Sequence, residues 1–148
     1  MSKGKKKKEE EPEAPEEPLE GCGAFVFDDG SRYEGNWIKE GTPLITKRKG
    51  YGVYKEGNNK YEGYWDDDKM SGEGTMFFAS GAVYTGTWLD NCFDGKGKYS
   101  WTDSSFYEGM WRSNKMHGEG MYQDSTGKRW HGKFYNGMGP GITLNTAV

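Results

Sequence analysis

The sequence predicts an all-β protein, an elongated single-layer antiparallel β-meander of stacked hairpins with about ten strands. Three observations predict this fold. The segment Tyr-x-Gly-x-Trp recurs every 23 residues, beginning at Tyr61, Tyr84 and Tyr107. A Gly-x-Gly pair follows each copy at the same spacing. Only 32% of the chain is hydrophobic, yet 16% is aromatic and 24 residues are glycine, which favours a thin core of rings packed on glycines.

The ends of the array are less regular than its middle. A further copy begins at Tyr33, and the spacing of its glycine pair predicts an insertion in a loop over Glu40–Lys49. A half-repeat, Gly21-Cys22-Gly23, opens the array, and the degenerate segment Trp130–Phe134 is its last copy. We therefore expect a tail over residues 1–20, the repeat array over residues 21–141 and a C-terminal end over residues 142–148.

The alternation along each predicted strand separates two faces. Residues 61, 63 and 65 share one face, and the glycines and rings of successive strands fall on that same face. The glycines are then the floor on which rings of neighbouring strands lie. The opposite face is mostly polar, with Tyr64 and Phe77 as exceptions. Glycine-containing turn signals such as Ser80-Gly81 precede the Tyr-x-Gly-x-Trp segments, so each repeat is predicted to be one β-hairpin.

Charge separates the tail from the array. Met1–Glu20 contains five lysines, seven glutamates and three prolines, and this composition predicts disorder. Its lysines resemble a nucleic-acid patch, but the acidic run directly behind them opposes phosphate binding. The rest of the chain holds 15 basic and 16 acidic residues, and a nearly neutral array argues against a nucleic-acid partner.

Nothing in the sequence indicates catalysis, a metal or a cofactor. There is no Ser/His/Asp set and no phosphate-binding loop, and the Gly-x-Gly pairs belong to the repeat. Cys22, Cys92, His117 and His131 lack the spacing of metal ligands, and His117 is expected in a loop of the repeat. No apolar stretch approaches 18 residues and no secretory signal begins the chain, so we expect a cytoplasmic protein with two reduced thiols.

At this point the motifs resemble a known family. The segment beginning at Tyr107, followed by Lys115-Met116-His117-Gly118-Glu119-Gly120, is similar to the MORN repeat. The resemblance covers Gly21 to about Gly141 and departs from the pattern at residues 40–49, at the Asp103-Ser104 turn and in the last copy. It implies an elongated, gutter-shaped antiparallel sheet. The chain also looks like small MORN-only proteins of sperm and motile cilia, which implies a place in a ciliary or flagellar axoneme or another cytoskeletal assembly, and a role in spermatogenesis.

The leading functional hypothesis is a non-enzymatic scaffold that binds a peptide segment or an axonemal or cytoskeletal protein in its aromatic gutter or along its edge. The isolated chain is expected to be a monomer. An alternative interpretation is that the central rings only hold the sheet together. The rings proposed as partly exposed contacts in the gutter are Tyr61, Trp65, Tyr84, Trp88, Tyr107 and Trp111.

A second hypothesis is a membrane-surface module that binds anionic phospholipids, on the cytoplasmic face of a vesicle such as the acrosome or of the plasma membrane. Two basic clusters could supply the contacts, although a solvated loop is the better explanation of each. Each basic residue near an anionic surface contributes about 1 kcal/mol, so three alone would anchor weakly. The clusters are Lys47, Arg48 and Lys49, and Lys128, Arg129 and Lys133.

Overall fold

The chain folds into one open antiparallel sheet of ten strands, each paired with its neighbours in chain order. The computed structural model describes residues 16–144 and Thr146. The strands are β1 (Glu20–Val26), β2 (Arg32–Glu40), β3 (Ile45–Glu56), β4 (Asn59–Asp66), β5 (Lys69–Phe77), β6 (Val83–Leu89), β7 (Cys92–Ser100), β8 (Phe106–Arg112), β9 (Lys115–Gln123) and β10 (Arg129–Phe134). The predicted single-layer meander is therefore confirmed.

A short hairpin follows the sheet at its C-terminal end. It consists of β11 (Met138–Gly139) and β12 (Ile142–Thr143). The ring of Phe134 lies on Gly139, where an added Cβ would meet it at 2.2 Å. Leu144 packs against the core and donates its backbone N–H to the carbonyl of Gly137. The hairpin therefore covers the last part of the aromatic face.

The first glycine of each Gly-x-Gly pair has a backbone role. Where β4 pairs with β5, Gly63 lies opposite Gly74. The register of these two strands then shifts between Gly63 and Trp65. The shift is a β-bulge on the Gly-x-Gly strand. Gly72, Gly95 and Gly118 lie in these bulges at φ of 89°, 85° and 102°, a left-handed region that favours glycine.

The second glycine of each pair is the floor for a tyrosine ring. A Cβ built on Gly97 would lie 2.2 Å from Tyr84 Oη and 2.5 Å from its Cζ. Gly74 has the same relation to Tyr61, with a closest distance of 2.3 Å. Rings of one strand therefore lie flat on the backbone of the next, as the sequence pattern predicts, and any side chain here would displace them.

The prediction of a loop over residues 40–49 is wrong. β2 continues to Glu40 and β3 begins at Ile45, so only residues 41–44 connect the two strands. Lys39 pairs with Thr46 across the extended hairpin. The insertion lengthens two strands instead of looping out, because it contains β-branched residues that suit a strand and charged side chains that pair across it.

The glycine turns at one end of the hairpins are confirmed. Gly30, Gly81 and Gly127 adopt positive φ angles of 85°, 95° and 91°. Ser104 takes the corresponding position with a φ of 72°. The Asp103 carboxylate accepts a hydrogen bond from the backbone N–H of Ser105 at 2.9 Å, so the turn forms without its glycine.

The turns at the other end follow a pattern that the sequence analysis missed. Both residues of each of these two-residue turns have positive φ, as in type I′ hairpins: Asp67-Asp68, Asp90-Asn91 and Ser113-Asn114. Asn91 N donates to the carbonyl of Met70 at 3.0 Å, and the side-chain oxygen of Asn91 accepts from Met70 N at 2.9 Å. Asn114 makes the same two bonds with Phe93. Each turn is therefore hydrogen-bonded to the preceding repeat.

The predicted disordered tail lies mostly outside the described residues, which begin at Glu16. The last residues before the sheet run beside the end of β2. The carbonyl of Leu19 accepts the backbone N–H of Lys39 at 2.6 Å, and the Glu17 carboxylate accepts from Lys39 Nζ at 2.8 Å. Strand pairing begins at Glu20, so the ordered array includes the last residue assigned to the tail.

Candidate functional site

The central rings of the repeats form one continuous core on the face that carries the glycines, here called the gutter face. Trp88 packs edge-on against Tyr61, Tyr84 and Phe93, at centroid distances of 5.3, 5.2 and 4.8 Å. The exposed fraction is 0% for Tyr61, Tyr84 and Tyr107 and no more than 5% for Trp65, Trp88 and Trp111. The structure therefore brings the six predicted gutter rings together.

The expectation that these six rings are partly exposed is wrong. Each ring is covered by rings and glycines of the neighbouring strands, so it offers a partner almost no surface. The contacts that these rings make with the rings and glycines of neighbouring strands hold the sheet together. Direct contact of these rings with a partner stays a prediction.

Two repeated hydrogen bonds fix the rings. The Tyr84 hydroxyl donates at 2.8 Å to the carbonyl of Thr87, a residue that the bulge leaves without a directly opposite residue in the pairing of β6 with β7. Trp88 Nε1 donates at 3.1 Å to the carbonyl of Gly74 on the preceding strand. The polar atoms of the buried rings are thus bonded, as burial requires.

Burial changes the acidity of the repeated tyrosines. Loss of solvation raises the pKa of Tyr33 and Tyr107 to about 12. The same cause raises the pKa of Tyr61 and Tyr84. All four phenols lie under neighbouring rings, where the tyrosinate anion would lose its hydration.

We expect the chain to unfold in alkaline solution as these phenols ionise. In the unfolded chain they titrate near pH 10, but the folded chain holds its protons to higher pH, to about 12 for Tyr33 and Tyr107. The stabilisation is fully present below pH 10 and is lost as the pH rises through about 12. The part of the tyrosinate absorbance that comes from these four phenols should appear in the same transition that removes the circular dichroism signal. Complete ionisation with an unchanged dichroism spectrum would contradict the assignment.

A line of half-buried rings lies beside the central ones and was not singled out from the sequence. We call it the aromatic row: Tyr54, Phe78, Trp101, Tyr122 and Trp130. Trp101 meets Tyr122 at 5.9 Å, and Tyr122 meets Trp130 at 5.5 Å between centroids. A hollow of about 220 Å³ opens between Tyr54 and Phe78. Phe78 and Trp101 come directly after the last residues of β5 and β7, and that position is the signal that sequence analysis could have used for these two rings.

The first basic cluster is matched by carboxylates. Lys47 Nζ lies 2.6 Å from an Asp67 oxygen and 3.2 Å from Glu40. The hydrogen bond with Asp67 raises the pKa of Lys47, and Lys47 in turn lowers the pKa of Asp67. Lys49 faces Asp66 at 3.7 Å. The net field that this cluster could offer an anionic surface is therefore small.

Arg48 is on the gutter face instead of the outer surface. It pairs with Trp37 at the position where Phe93 pairs with Trp88 in a regular repeat. Its guanidinium lies 4.2 Å from the ring centroid of Trp65, and its Nε donates to Asp68 at 2.7 Å. Arg48 thus fills a position in the core stack and is held there by a carboxylate.

The second basic cluster lies at the opposite end of the sheet, on and before β10. Lys128 Nζ lies 4.9 Å from the ring centroid of Trp130, and Arg129 Nε donates to Gln123 at 2.8 Å. Lys133 is exposed on β10. The structure therefore separates the two clusters proposed for lipid contact by most of the sheet.

Residues 16–144 and Thr146 contain no group of three His, Cys, Asp or Glu side chains that could hold a metal ion. His117 lies in β9 and not in a loop, which corrects that expectation. Its ring stands edge-on to Tyr135 at 5.3 Å, and its buried Nδ1 has no hydrogen-bond partner among the described residues. Within the same residues, no helix is long and apolar enough to cross a membrane.

Comparison with known proteins agrees with the repeat geometry. The family model of the MORN repeat matches residues 61–83, 84–106 and 107–129. These segments cover the hairpins β4–β5, β6–β7 and β8–β9 apart from the first one or two residues of each hairpin. No curated protein matches the chain. Repeats of this family are non-catalytic modules that interact with proteins or membrane lipids. The chain is therefore a MORN-repeat protein, with three recognised repeats inside a ten-stranded sheet.

Proposed function

We propose that the protein is a non-enzymatic scaffold that binds a protein segment along its aromatic row, within the axoneme of a motile cilium or sperm flagellum, with a role in spermatogenesis. The observation that carries the binding part is the set of half-buried rings side by side on the gutter face. Aromatic rings that are packed on one side and open on the other are typical centres of protein interfaces. The flagellar setting rests on the similarity to small MORN-only proteins.

The spacing of the row favours an extended peptide. Tyr54, Phe78, Trp101 and Tyr122 stand at the ends of β3, β5, β7 and β9, so successive rings are two strands apart. The ring centroids of Trp101 and Tyr122 lie 5.9 Å apart, those of Tyr122 and Trp130 lie 5.5 Å apart, and an extended chain rises about 3.3 Å per residue. A peptide that crosses the strands would therefore bring every second side chain to a ring in this part of the row.

The phospholipid alternative has weaker support. Lys47, Arg48 and Lys49 each face a carboxylate within 4 Å. Their attraction to an anionic surface is largely offset locally, and salt screens what remains. We expect liposome binding that is weak and salt-sensitive, and unaffected partner binding when these three residues are neutralised.

The experiment compares two neighbouring phenylalanines. Phe78 belongs to the aromatic row, whereas Phe77 points to the opposite face and is 37% exposed. The full chain would be used as bait in salt extracts of axonemes and in membrane fractions from ciliated or spermatogenic tissue. We expect Phe78→Ser to capture at least about tenfold less axonemal protein than wild type does. Phe77→Ser should capture as much as wild type.

Two results would contradict the proposal. Equal capture by the two serine variants would show that the aromatic row does not contact the partner. Tight, saturable binding to anionic phospholipid vesicles at physiological salt, without capture of axonemal protein, would favour the membrane module instead. Circular dichroism of both variants must first show that they fold like wild type.

A further inference from the structure

The half-repeat at the start of the sheet leaves an aromatic position unfilled. In the interior hairpins, the second glycine of each pair lies under a tyrosine ring from the preceding strand, at 2.2 to 2.3 Å from an added Cβ. Gly23 occupies the equivalent position in β1. An added Cβ there would find Trp37 Nε1 at 3.4 Å and Phe25 Cε2 at 3.7 Å, which are ordinary contact distances. The described residues supply no strand before β1, and so no tyrosine for Gly23.

The free edge of β1 carries little protection. Within the described part of the chain, β1 pairs only with β2. Between Glu20 and Val26 there is one charged residue and no proline, whereas natural edge strands are usually shielded by such residues. Leu19 stands two residues before the glycine pair, where the regular repeat places the buried Phe93, yet 57% of it is exposed. This end of the gutter face therefore matches an interior strand without its neighbour.

The residues that the structure describes do not fill this position. Glu17 and Leu19 bond to Lys39 of β2, so the last residues of the tail continue beside β2 and leave the outer edge of β1 uncovered. The first fifteen residues contain no Phe, Trp or Tyr that could lie on Gly23. A cavity of about 340 Å³ remains beside Phe25, Trp37 and Thr46.

The opposite end of the sheet cannot readily supply the strand from a second copy. β10 has the correct pattern, with an aromatic residue at position 130 and Gly132 two residues later. However, Pro140 Cγ lies 3.0 Å from a Cβ built on Gly132, and the C-terminal hairpin places Gly139 beneath Phe134. The described C-terminal residues thus occupy the place where β1 of another copy would pair.

We propose that the edge of β1 accepts a β-strand of a partner protein with the pattern aromatic-x-Gly-x-aromatic. The strand pairs antiparallel to β1, as Tyr84 and Gly86 pair with Tyr99 and Gly97 inside the array. Its glycine lies opposite Gly23, and its first aromatic ring covers Gly23. The partner therefore provides the first strand of a repeat and completes the half-repeat, by the strand addition that open sheet edges support.

The test uses a peptide whose sequence is known to fit such an edge. The probe is a dye-labelled peptide with the sequence of Val83–Asn91, which forms β6 and its turn in the array. Its binding to the full chain is measured by fluorescence anisotropy. Gly23→Val fills the open position, and Ala24→Val places the same side chain on the neighbouring, outward-facing residue. We expect Gly23→Val to weaken binding at least about tenfold and Ala24→Val to leave it unchanged.

A second comparison does not depend on the folding of a variant. The same peptide with Tyr84→Ser should lose at least about tenfold in affinity for the wild-type chain. Phe78→Ser in the protein should leave peptide binding intact, which separates this edge from the aromatic row. Absence of binding to wild type, or equal weakening by Gly23→Val and Ala24→Val, would overturn the proposal. Sedimentation showing a wild-type dimer that Gly23→Val dissociates would assign the edge to a second copy instead.

Discussion

Gly86→Val is expected to lower the free energy of unfolding by about 3 kcal/mol or more, because overpacking meets atoms that cannot move away. A Cβ on Gly86 lies 2.4 Å from Cα of Gly97 and 2.5 Å from the carbonyl oxygen of Lys96. Both are backbone atoms of the paired strand. The valine can be accommodated only if β6 and β7 separate, which would also lift Tyr84 from its glycine floor.

The matched control is Thr85→Val, one residue earlier on the exposed face. This substitution removes only the exposed contact between the hydroxyls of Thr85 and Thr75. We therefore expect the free energy of unfolding to change by no more than about 0.5 kcal/mol. Thr87 is less suitable, although the sequence alone places it on the same face, because its hydroxyl donates to the carbonyls of Asp94 and Lys96. Urea denaturation of both valine variants would measure the difference. Equal midpoints would show that the face assignment is incorrect.

Trp88→Ala is expected to lower the free energy of unfolding by about 3–5 kcal/mol, the usual range for removing a large buried ring. Trp88 is 5% exposed, touches rings from three strands and bonds the carbonyl of Gly74. Its removal leaves a cavity between two repeats and one buried acceptor without its donor. Because repeat proteins are stabilised by interfaces between neighbours, the loss should weaken the contact between the first two recognised repeats in particular.

Leu89→Ala is the control for this substitution. Leu89 follows Trp88 in β6 but is exposed on the other face, so its truncation should change stability by less than about 1 kcal/mol. Thermal unfolding followed by circular dichroism compares the two variants. If Trp88→Ala melts at the wild-type temperature, the ring is not part of the core. If it remains folded and binds the axonemal partner at full strength, the ring is not a binding contact.

The sequence was sufficient for the fold because its period and its alternation agree. The 23-residue spacing defined the hairpins, and the two-residue alternation placed Tyr84, Gly86 and Trp88 on one face. The rings were correctly placed on glycines because ring area must be buried and a single sheet has no second layer. The exposed Tyr64 on the opposite face was also identified from alternation alone.

The degree of burial could not be obtained in the same way. Alternation gives the face of a residue but not how far the neighbouring strands enclose it, so Tyr84 and Phe78 look equivalent in the sequence. Only the register shows that Tyr84 lies between strands and that Phe78 lies at a strand end. The long β2–β3 hairpin was missed because its alternating charges are also typical of a loop. The hydrogen bonds between Asn91 and Met70 were also missed, because they depend on the type I′ turn and on its contact with an earlier repeat.

The turn bonds of Asn91 and Asn114 bear on how the sheet responds to tension. A pull along the stacking direction of a meander loads the hydrogen bonds between strands lengthwise and opens them pair by pair. Here each hairpin is also bound to the previous one through its turn and through a tryptophan N–H, as at Asn91 with Met70 and Trp88 with Gly74. When the hairpin of β6 and β7 is pulled away, these bonds must therefore break together with its hydrogen bonds to the neighbouring strand. The smallest unit that tension can detach is then a whole repeat, so the sheet would unfold under load one repeat at a time.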